Sequence, residues 1–262
     1  MTKIVCANAW DYLRALPPES VDLIFTSPPY AEQRKNSYGG IPEDEYPDWM
    51  QSIVIQGMKA LKPTGSFVLN IKEHVNNNGV RSLYVMNTIL LLAHGFNFVE
   101  EFIWNKTNPF PTGNKKRVKD GFERIFQFTK SKEYKFFPNE LKKESTSVWA
   151  GTNEKRKNKG YFTTKNGSRM AMGKRVTGNL VRPSNVLTLP SSCVNIGHPA
   201  VFPVELPEFF IRLMTETGDM VVDPFMGSGT TLIAAKKLDR NYGGCDIMQE
   251  YVDLTEKRLN EN

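Results

Sequence analysis

Residues 220–231, which read MVVDPFMGSGTT, decide the fold of this chain. The apolar residues at 220–222 predict a buried strand, and residues 230–238 have the apolar spacing of a helix. Between them, Gly227 and Gly229 permit a sharp turn and a close approach of another group, because neither carries a Cβ. This order of strand, turn and helix predicts an α/β sheet, with unpaired N–H groups at the helix N-terminus that suit an anion.

A second motif, TSPPY at residues 26–30, follows another apolar run at residues 21–25. Ligand sites in open α/β sheets lie outside the carboxyl ends of the strands, so both motifs stand where chemistry is expected. Strands and helices alternate along most of the chain, which predicts a mostly parallel sheet that is covered on both faces.

The remaining elements are predicted from apolar spacing and from the glycines and prolines that end each run. Strands are expected at residues 4–6, 66–71, 96–104, 122–128 and 241–245, and helices at residues 9–16, 49–61, 82–94, 207–215 and 249–259. Residues 31–48 predict a long polar loop with a functional role. Residues 153–175 are rich in Lys, Arg, Asn and Gly, which predicts surface loops, and ordered structure resumes at residues 185–189.

The charge of the chain is concentrated in one segment. Residues 106–182 hold 20 Lys/Arg against 6 Asp/Glu, a net charge of +14, whereas the rest of the chain carries −8. A basic segment on an acidic body is typical of a lobe that binds a polyanion, although a solvated basic loop region has the same composition.

Length and composition indicate a soluble protein. The 262 residues fit one large α/β domain with an insertion, and 40% of them are hydrophobic. The sequence has neither an apolar run of about 18 residues nor a signal-peptide pattern, which predicts an intracellular protein. The three cysteines are far apart and lack C-x-x-C spacing, so neither a structural disulfide nor a metal site is predicted.

The two motifs together resemble those of the DNA amino-methyltransferases, which modify DNA bases with S-adenosylmethionine. Their order, with the proline motif first, resembles the permuted β group of that family. The resemblance implies a Rossmann-like methyltransferase fold with a permuted, mostly parallel seven-stranded sheet and an inserted basic target-recognition region. It implies a target-base half at residues 1–130, the basic region at 131–183 and a cofactor-binding half at 184–262.

The resemblance also implies the cofactor-binding residues. Asp246 ends the strand after the glycine-rich turn, where an acidic side chain accepts hydrogen bonds from ribose hydroxyls. Asn8 stands where the family often has an acid near the adenine, and His198 lies in a segment similar to the family's element upstream of the turn. The full cofactor set is Asn8, His198, Asp223, Phe225, Gly227, Gly229, Thr230 and Asp246.

The catalytic residues expected for methyl transfer are Ser27, Pro28, Pro29 and Tyr30. An exocyclic amine is a poor nucleophile, so a site must accept hydrogen bonds from its N–H groups and aim its lone pair at the methyl group. Ser27 Oγ and the Pro28 carbonyl are the expected acceptors, on a turn that the prolines make rigid. Tyr30 offers a face for a base that has left the duplex, at a cost of a few kcal/mol.

A serine before Pro-Pro-Tyr is typical of cytosine-N4 enzymes, whereas aspartate or asparagine is typical of adenine-N6 enzymes. The predicted activity is therefore cytosine-N4 methylation of double-stranded DNA in a restriction–modification system, with adenine-N6 methylation as the alternative. Two alternative hypotheses belong to other functional classes. One is a DNA-binding module without catalytic activity, and the other is a methyltransferase that acts on RNA or protein.

The partners expected with this activity are DNA, a second copy of the chain and a cognate restriction endonuclease. The expected location is the cytoplasm, with a bacterial, archaeal or phage origin. The predicted DNA-binding residues are Lys155, Arg156, Lys157, Lys159, Arg169, Lys174 and Arg175.

Overall fold

The computed structural model describes residues 3–32, 40–75, 78–109, 116–144, 161–163, 169–171, 180–191 and 202–261. The chain forms two compact units, of which the larger comprises Met1–Phe137 with Ser184–Asn262 and the smaller comprises Pro138–Pro183. The sequence boundary at residue 131 thus lies seven residues before the structural one. Residues 131–137 belong to the larger unit, where the Phe137 N–H donates to the Leu213 carbonyl at 2.6 Å.

The described residues form twelve strands and six α-helices. In chain order these are β1 (Lys3–Cys6), α1 (Ala9–Ala15), β2 (Val21–Thr26), α2 (Tyr46–Ala60), β3 (Leu61–Ile71), α3 (Tyr84–Gly95), β4 (Asn97–Lys106), β5 (Phe122–Thr129), β6 (Lys143–Glu144), β7 (Tyr161–Thr163), β8 (Arg169–Ala171), β9 (Leu180–Val181), β10 (Val186–Leu189), α4 (Glu205–Met214), β11 (Met220–Asp223), α5 (Thr230–Lys237), β12 (Asn241–Asp246) and α6 (Gln249–Glu261).

Eight strands form the sheet of the larger unit, in the order β1-β12-β11-β2-β3-β5-β4-β10. β5 runs antiparallel to both of its neighbours, and the other neighbouring pairs are parallel. The carboxyl ends of the parallel strands and the amino end of β5 therefore meet at one edge. The α/β fold with a mostly parallel sheet is confirmed.

The predicted number of seven strands is one too low. The additional strand is β10, which pairs with β4 so that Val186 lies opposite Ile103. β10 has only four residues and follows the basic segment, so it carries too few positions to show a strand period.

The central strand β2 is buried along its whole length, as its mostly apolar run predicts. On one face Phe25 stacks on Phe210 of α4, with ring centroids 5.2 Å apart. On the other face α2 comes so close that a Cβ on Gly57 would lie 3.0 Å from Ile24 Cδ1. Helices on both faces thus fix β2 and the motif that follows it.

Helix α2 begins at Tyr46 rather than at the predicted residue 49. Pro47 lies in its first turn, where a missing N–H breaks no helical hydrogen bond, so the proline begins the helix instead of excluding it. β3 likewise begins at Leu61, five residues earlier than predicted, and directly follows the helix.

The smaller unit contains the 3₁₀ helix Pro138–Leu141 and two short antiparallel pairs, β6 with β9 and β7 with β8. The prediction of loops throughout residues 153–175 is wrong at β7 and β8, where Tyr161 pairs with Ala171. Strands of three residues are too short to show a period of two.

Within the described ranges, no helix is both long and apolar enough to cross a membrane. Across the same residues, no cluster of His, Cys, Asp and Glu is suited to a metal ion.

Candidate active site

A buried carboxylate joins the two motifs. Thr26, the last residue of β2, donates its hydroxyl to Asp223 Oδ1 at 2.7 Å, and Thr231 donates to Asp223 Oδ2 at 2.7 Å. The Phe225 N–H also donates to Oδ1, at 3.0 Å. Asp223 is only 1% exposed. The carboxylate of this predicted cofactor residue therefore supports the glycine-rich turn and connects it to the proline motif.

Burial also changes the acidity of this group. Desolvation raises the pKa of Asp223 from 3.8 to about 6, and the nearby Asp246 carboxylate adds to the increase. The hydrogen bonds from Thr231, Thr26 and the Phe225 N–H oppose it. Asp223 is thus a buried acid that is stabilised by hydrogen-bond donors, and it has no salt bridge to any residue that the structure describes.

The glycine-rich turn has a left-handed backbone, with φ of 49° at Gly227 and 77° at Gly229. A Cβ on Gly229 would lie 2.4 Å from Thr255 Cγ2, so Thr255 of α6 fills the space beside this glycine. The close approach predicted at Gly229 is therefore made by α6, and the role of Gly229 in binding the cofactor stays a prediction.

Helix α6 holds the turn from its outer side. Thr255 Oγ1 donates to the Gly227 carbonyl at 3.0 Å, and the Arg258 guanidinium donates to the Ser228 carbonyl. Sequence reasoning missed both residues, since they lie about 30 positions beyond the turn in a helix without a distinctive motif.

The predicted cofactor residues fit the carboxylate and the ribose of S-adenosylmethionine. Thr230 Oγ1, in the first turn of α5, is buried and has no hydrogen-bond partner among the described residues. A hydroxyl at a helix N-terminus is suited to donate to a carboxylate. Asp246 accepts from the N–H groups of Gly227 at 3.1 Å and Met248 at 3.0 Å, which fixes its carboxylate at the end of β12.

Phe225 is half-buried, and its ring lies 5.7 Å from that of Trp49. Asn8 is the N-cap of α1, where its Oδ1 accepts from the Trp10 N–H at 2.8 Å. Capping thus accounts for Asn8 Oδ1, and the expected contact with adenine stays a prediction. His198 lies outside the described residues.

The proline motif is held from behind by Tyr46. The fully buried Tyr46 donates its hydroxyl to the Pro29 carbonyl at 3.0 Å, and its ring packs against Tyr84 at 4.7 Å. Pro28 is buried, while Ser27 and Tyr30 are half-buried at the carboxyl end of β2. The two prolines and the hydrogen bond from Tyr46 of α2 therefore hold this turn rigidly.

A network of polar side chains adjoins this motif. Glu123 Oε2 accepts from the Tyr30 hydroxyl at 2.9 Å and from Asn70 Nδ2 at 3.0 Å. Asn70 Nδ2 also lies 3.3 Å from Ser27 Oγ, and Lys106 Nζ lies 2.5 Å from Glu123 Oε1. Burial, followed by the Glu123 charge, raises the pKa of Tyr30 well above its usual value, which keeps the phenol protonated.

Asn70, Lys106 and Glu123 come from β3, β4 and β5 and meet because these strands share one edge. Sequence reasoning did not select them. The available signal was the presence of polar residues inside otherwise apolar strand runs.

The fold and the joined motifs are those of an enzyme that transfers methyl groups to DNA. A family model described as DNA methylase, N6_N4_Mtase, matches residues 21–257, and the chain belongs to that family. The resemblance drawn from the motifs is thereby confirmed.

The similarity to individual proteins extends over nearly the whole chain. The type II methyltransferase M.PvuII of Proteus hauseri is 33% identical over 285 residues, which cover 97% of this chain and 82% of that protein. M.BglII of Bacillus subtilis is 30% identical over 259 residues, which cover 97% of this chain and 68% of that protein.

Two solved structures extend this similarity to the fold. The structure of the cytosine-N4-specific PvuII DNA methyltransferase has a TM-score of 0.75 at 29% identity and covers 98% of this chain and 87% of its own. The complex of M1.HpyAVI with S-adenosylmethionine has a TM-score of 0.61 at 25% identity, and the match covers 99% of this chain and 100% of that chain.

The predicted DNA-binding residues stay a prediction, as do the roles of the catalytic and cofactor-binding residues. Arg169 lies in β8. The others lie outside the described residues, and these are Lys155, Arg156, Lys157, Lys159, Lys174 and Arg175.

Proposed function

We propose that this chain transfers a methyl group from S-adenosylmethionine to the N4 amine of a cytosine at a specific site in double-stranded DNA. The observation that carries the proposal is the 2.7 Å hydrogen bond from Thr26 to Asp223. It brings together the two turns that the chemistry needs, since Ser27 follows Thr26 and Phe225 follows Asp223 by two residues.

The cofactor side of the proposal rests on Thr230, Asp246 and Phe225. S-adenosylmethionine supplies a methyl group that is activated by a positively charged sulfur. The Thr230 hydroxyl and the N–H groups at the start of α5 hold its carboxylate, Asp246 holds its ribose, and Phe225 lies against it. The solved complex of M1.HpyAVI with S-adenosylmethionine supports this choice of cofactor.

The target side of the proposal rests on residues 27–30. Ser27 Oγ and the Pro28 carbonyl accept the amine N–H groups, and the rigid turn holds both acceptors in place before the base arrives. The base leaves the duplex and lies against Tyr30, because the amine cannot reach the cofactor from within the helix. The methylated amine then loses its extra proton to water.

Cytosine is favoured over adenine by Ser27 and by the similarity to a cytosine-N4-specific structure. Adenine-N6 methylation is the second candidate, because the family model joins N6 and N4 enzymes. The type II names of the relatives support a place in a restriction–modification system, with a cognate endonuclease that cuts the same site.

The test is nucleoside analysis of plasmid DNA that the purified protein has modified in the presence of S-adenosylmethionine. N4-methylcytosine is expected by mass spectrometry. Detection of N6-methyladenine would support transfer to an exocyclic amine but show that adenine is the target base. Detection of 5-methylcytosine, or of no modified base, would contradict the proposal. Ser27→Ala should lower turnover by about 10²–10³, while Ser20→Ala, at the other end of β2, serves as the matched control.

A further inference from the structure

Val118 is the most exposed large apolar residue in the part of the chain that the structure describes. It is 86% exposed, whereas the next highest values, at Val80, Leu83 and Leu90, are 61%. A single exposed apolar side chain needs no functional explanation by itself. The position of Val118 and the charges around it therefore decide what it can do.

Val118 lies in the loop that enters the sheet beside the proline motif. Where this loop joins β5, the Gly121 carbonyl accepts from the Lys106 N–H at 2.7 Å. Glu123, five residues after Val118, accepts from the Tyr30 hydroxyl at 2.9 Å. Five residues span at most about 18 Å, and DNA rises by about 3.4 Å per base pair. Val118 is therefore at most about five base pairs from a base that lies against Tyr30.

Ion pairs hold the loop that carries Val118. Asp120 Oδ1 lies 2.6 Å from the Arg117 guanidinium, and Asp120 Oδ2 lies 3.1 Å from Lys72 Nζ. The Arg81 guanidinium lies 3.4 Å from Oδ1. Lys72 directly follows β3, so these pairs attach the loop to the strand next to β2. A side chain that is presented by a held loop loses less entropy when it binds a partner.

The charge of this loop is complementary to DNA. Arg117 and Lys119 flank Val118 in the sequence, and Lys119 is exposed. Both belong to the segment at residues 106–182, which carries a net charge of +14. Phosphate contacts from such cations position a protein on the duplex. Proteins that kink DNA insert apolar side chains between bases from similarly basic surfaces, so DNA is the partner that fits this loop.

We propose that Val118 enters the base stack beside the extruded target base, with Lys119 on a neighbouring phosphate. Extrusion breaks the pairing and stacking of the target base and leaves a gap in the duplex. The valine methyl groups fill that gap, which stabilises the extruded state and raises the fraction of bound DNA that can react. The inference rests on the proposed function and adds two residues outside the proline motif and outside the predicted DNA-binding set.

The first test compares a paired with a mispaired target base. Oligonucleotide duplexes carry the recognition site, mapped beforehand by sequencing modified plasmid, and the target base stands either in its normal pair or opposite a mismatch. The rate of methylation is measured in a single turnover with saturating protein and S-adenosylmethionine. Val118→Ala removes two methyl groups from the gap, so the rate on paired DNA should fall by roughly tenfold.

The mispaired duplex separates the filling of the gap from other effects. Extrusion of a mispaired base costs less, so the extruded state forms without the valine, and Val118→Ala should lower this rate by at most about twofold. Equal losses on the two duplexes would overturn the proposal, because a contact that does not favour extrusion affects both alike.

Two further variants serve as controls. Val118→Ile keeps a branched apolar side chain, so its rate on paired DNA should stay within about twofold of the wild-type rate. Val186→Ala changes another exposed valine, which is 48% exposed in the outermost strand β10, and should leave both rates unchanged. Substitutions at exposed positions have little effect on stability, so these variants report on function. A loss in either control as large as that of Val118→Ala contradicts the proposal.

The second test addresses Lys119. Lys119→Ala should weaken the binding of paired and mispaired DNA by the same factor, because a phosphate contact does not depend on pairing. It should also make the salt dependence of the affinity shallower, by the equivalent of about one phosphate contact. An unchanged salt dependence would overturn the phosphate contact of Lys119.

These results separate the two levels of the argument. A wild-type protein that methylates no DNA base refutes the proposed function itself. A wild-type protein that methylates DNA, with equal losses in Val118→Ala on paired and mispaired duplexes, refutes only the role of Val118.

Discussion

Two buried acids at the same edge of the sheet are stabilised in different ways. Glu123 has a cation, Lys106, whereas Asp223 has two hydroxyls and a backbone N–H. Hydrogen bonds compensate only part of the cost of burying a charge, which is why the pKa of Asp223 rises to about 6. The acid that joins the two motifs therefore makes the stability of the protein depend on pH.

Asp223→Asn should remove one component of that dependence. The folded protein binds the Asp223 proton more tightly than the unfolded chain, because its pKa is about 6 instead of 3.8. The free energy of unfolding should therefore fall as pH rises from about 4 to about 6, by at most about 3 kcal/mol, and then level off. Asparagine does not titrate, so the variant should lack this fall.

Urea unfolding at pH values on both sides of this window measures the difference between the wild type and the variant. Asp44→Asn, at an exposed position, is the control and should leave the profile unchanged. Identical pH profiles for wild type and Asp223→Asn would show that the carboxylate does not titrate in this window.

Gly229 and Gly218 separate backbone strain from steric overlap. Both have a left-handed backbone, but a Cβ on Gly218 meets nothing within 4 Å, whereas one on Gly229 meets Thr255 at 2.4 Å. Gly218→Ala should cost about 1–2 kcal/mol for the backbone alone. Gly229→Ala should cost about 1–3 kcal/mol more for overpacking, and urea unfolding measures both. Equal losses would mean that Thr255 can move away freely.

At the scale of elements, apolar runs were sufficient to predict the strands and helices that carry the motifs. β2 and β11 were predicted because each is a mostly apolar run that ends in a turn of fixed composition. The residues that support these turns could not be predicted in the same way. Tyr46, Thr255 and Glu123 act through tertiary contacts across 17, 28 and 93 positions, and no local spacing records such contacts.

Helix α6 is an element whose role appears only in the structure. Thr255→Val keeps the shape of the side chain and removes the hydrogen bond to the Gly227 carbonyl. Losing this bond at a buried carbonyl should cost about 1–3 kcal/mol of stability. It should also lower the affinity for S-adenosylmethionine, measured by calorimetry, because the turn is less well held.

Thr88→Val is the matched control for this prediction. Thr88 is fully buried and donates to the Tyr84 carbonyl at 2.7 Å within α3, away from the glycine-rich turn. It should affect stability without changing the affinity for the cofactor. A cofactor affinity that is equal in wild type and Thr255→Val would limit α6 to a role in folding.

At the scale of the whole molecule, the basic charge is concentrated in one segment that extends over parts of both units. The motifs and their supports lie in the larger unit, and the segment at residues 106–182 carries a net charge of +14. Composition was sufficient to locate this segment, since charge can be counted without knowing the fold. It could not locate the short strands β7 and β8, which form through pairing and not through a local pattern.

This concentration of charge predicts how the protein binds DNA. A basic segment that neutralises several phosphates releases their counterions, so the DNA affinity should fall steeply with salt, with a slope of about −0.9 per phosphate contacted. Replacing Lys155, Arg156 and Lys157 with alanine should make that slope shallower, by the equivalent of up to about three phosphate contacts.

The matched control replaces three exposed basic residues of the larger unit, Arg14, Lys59 and Lys257, and should leave the slope unchanged. Fluorescence anisotropy over a range of salt concentrations measures both slopes. If the two triple variants lose the same slope, the protein binds DNA through its general charge, and the basic segment has no special role.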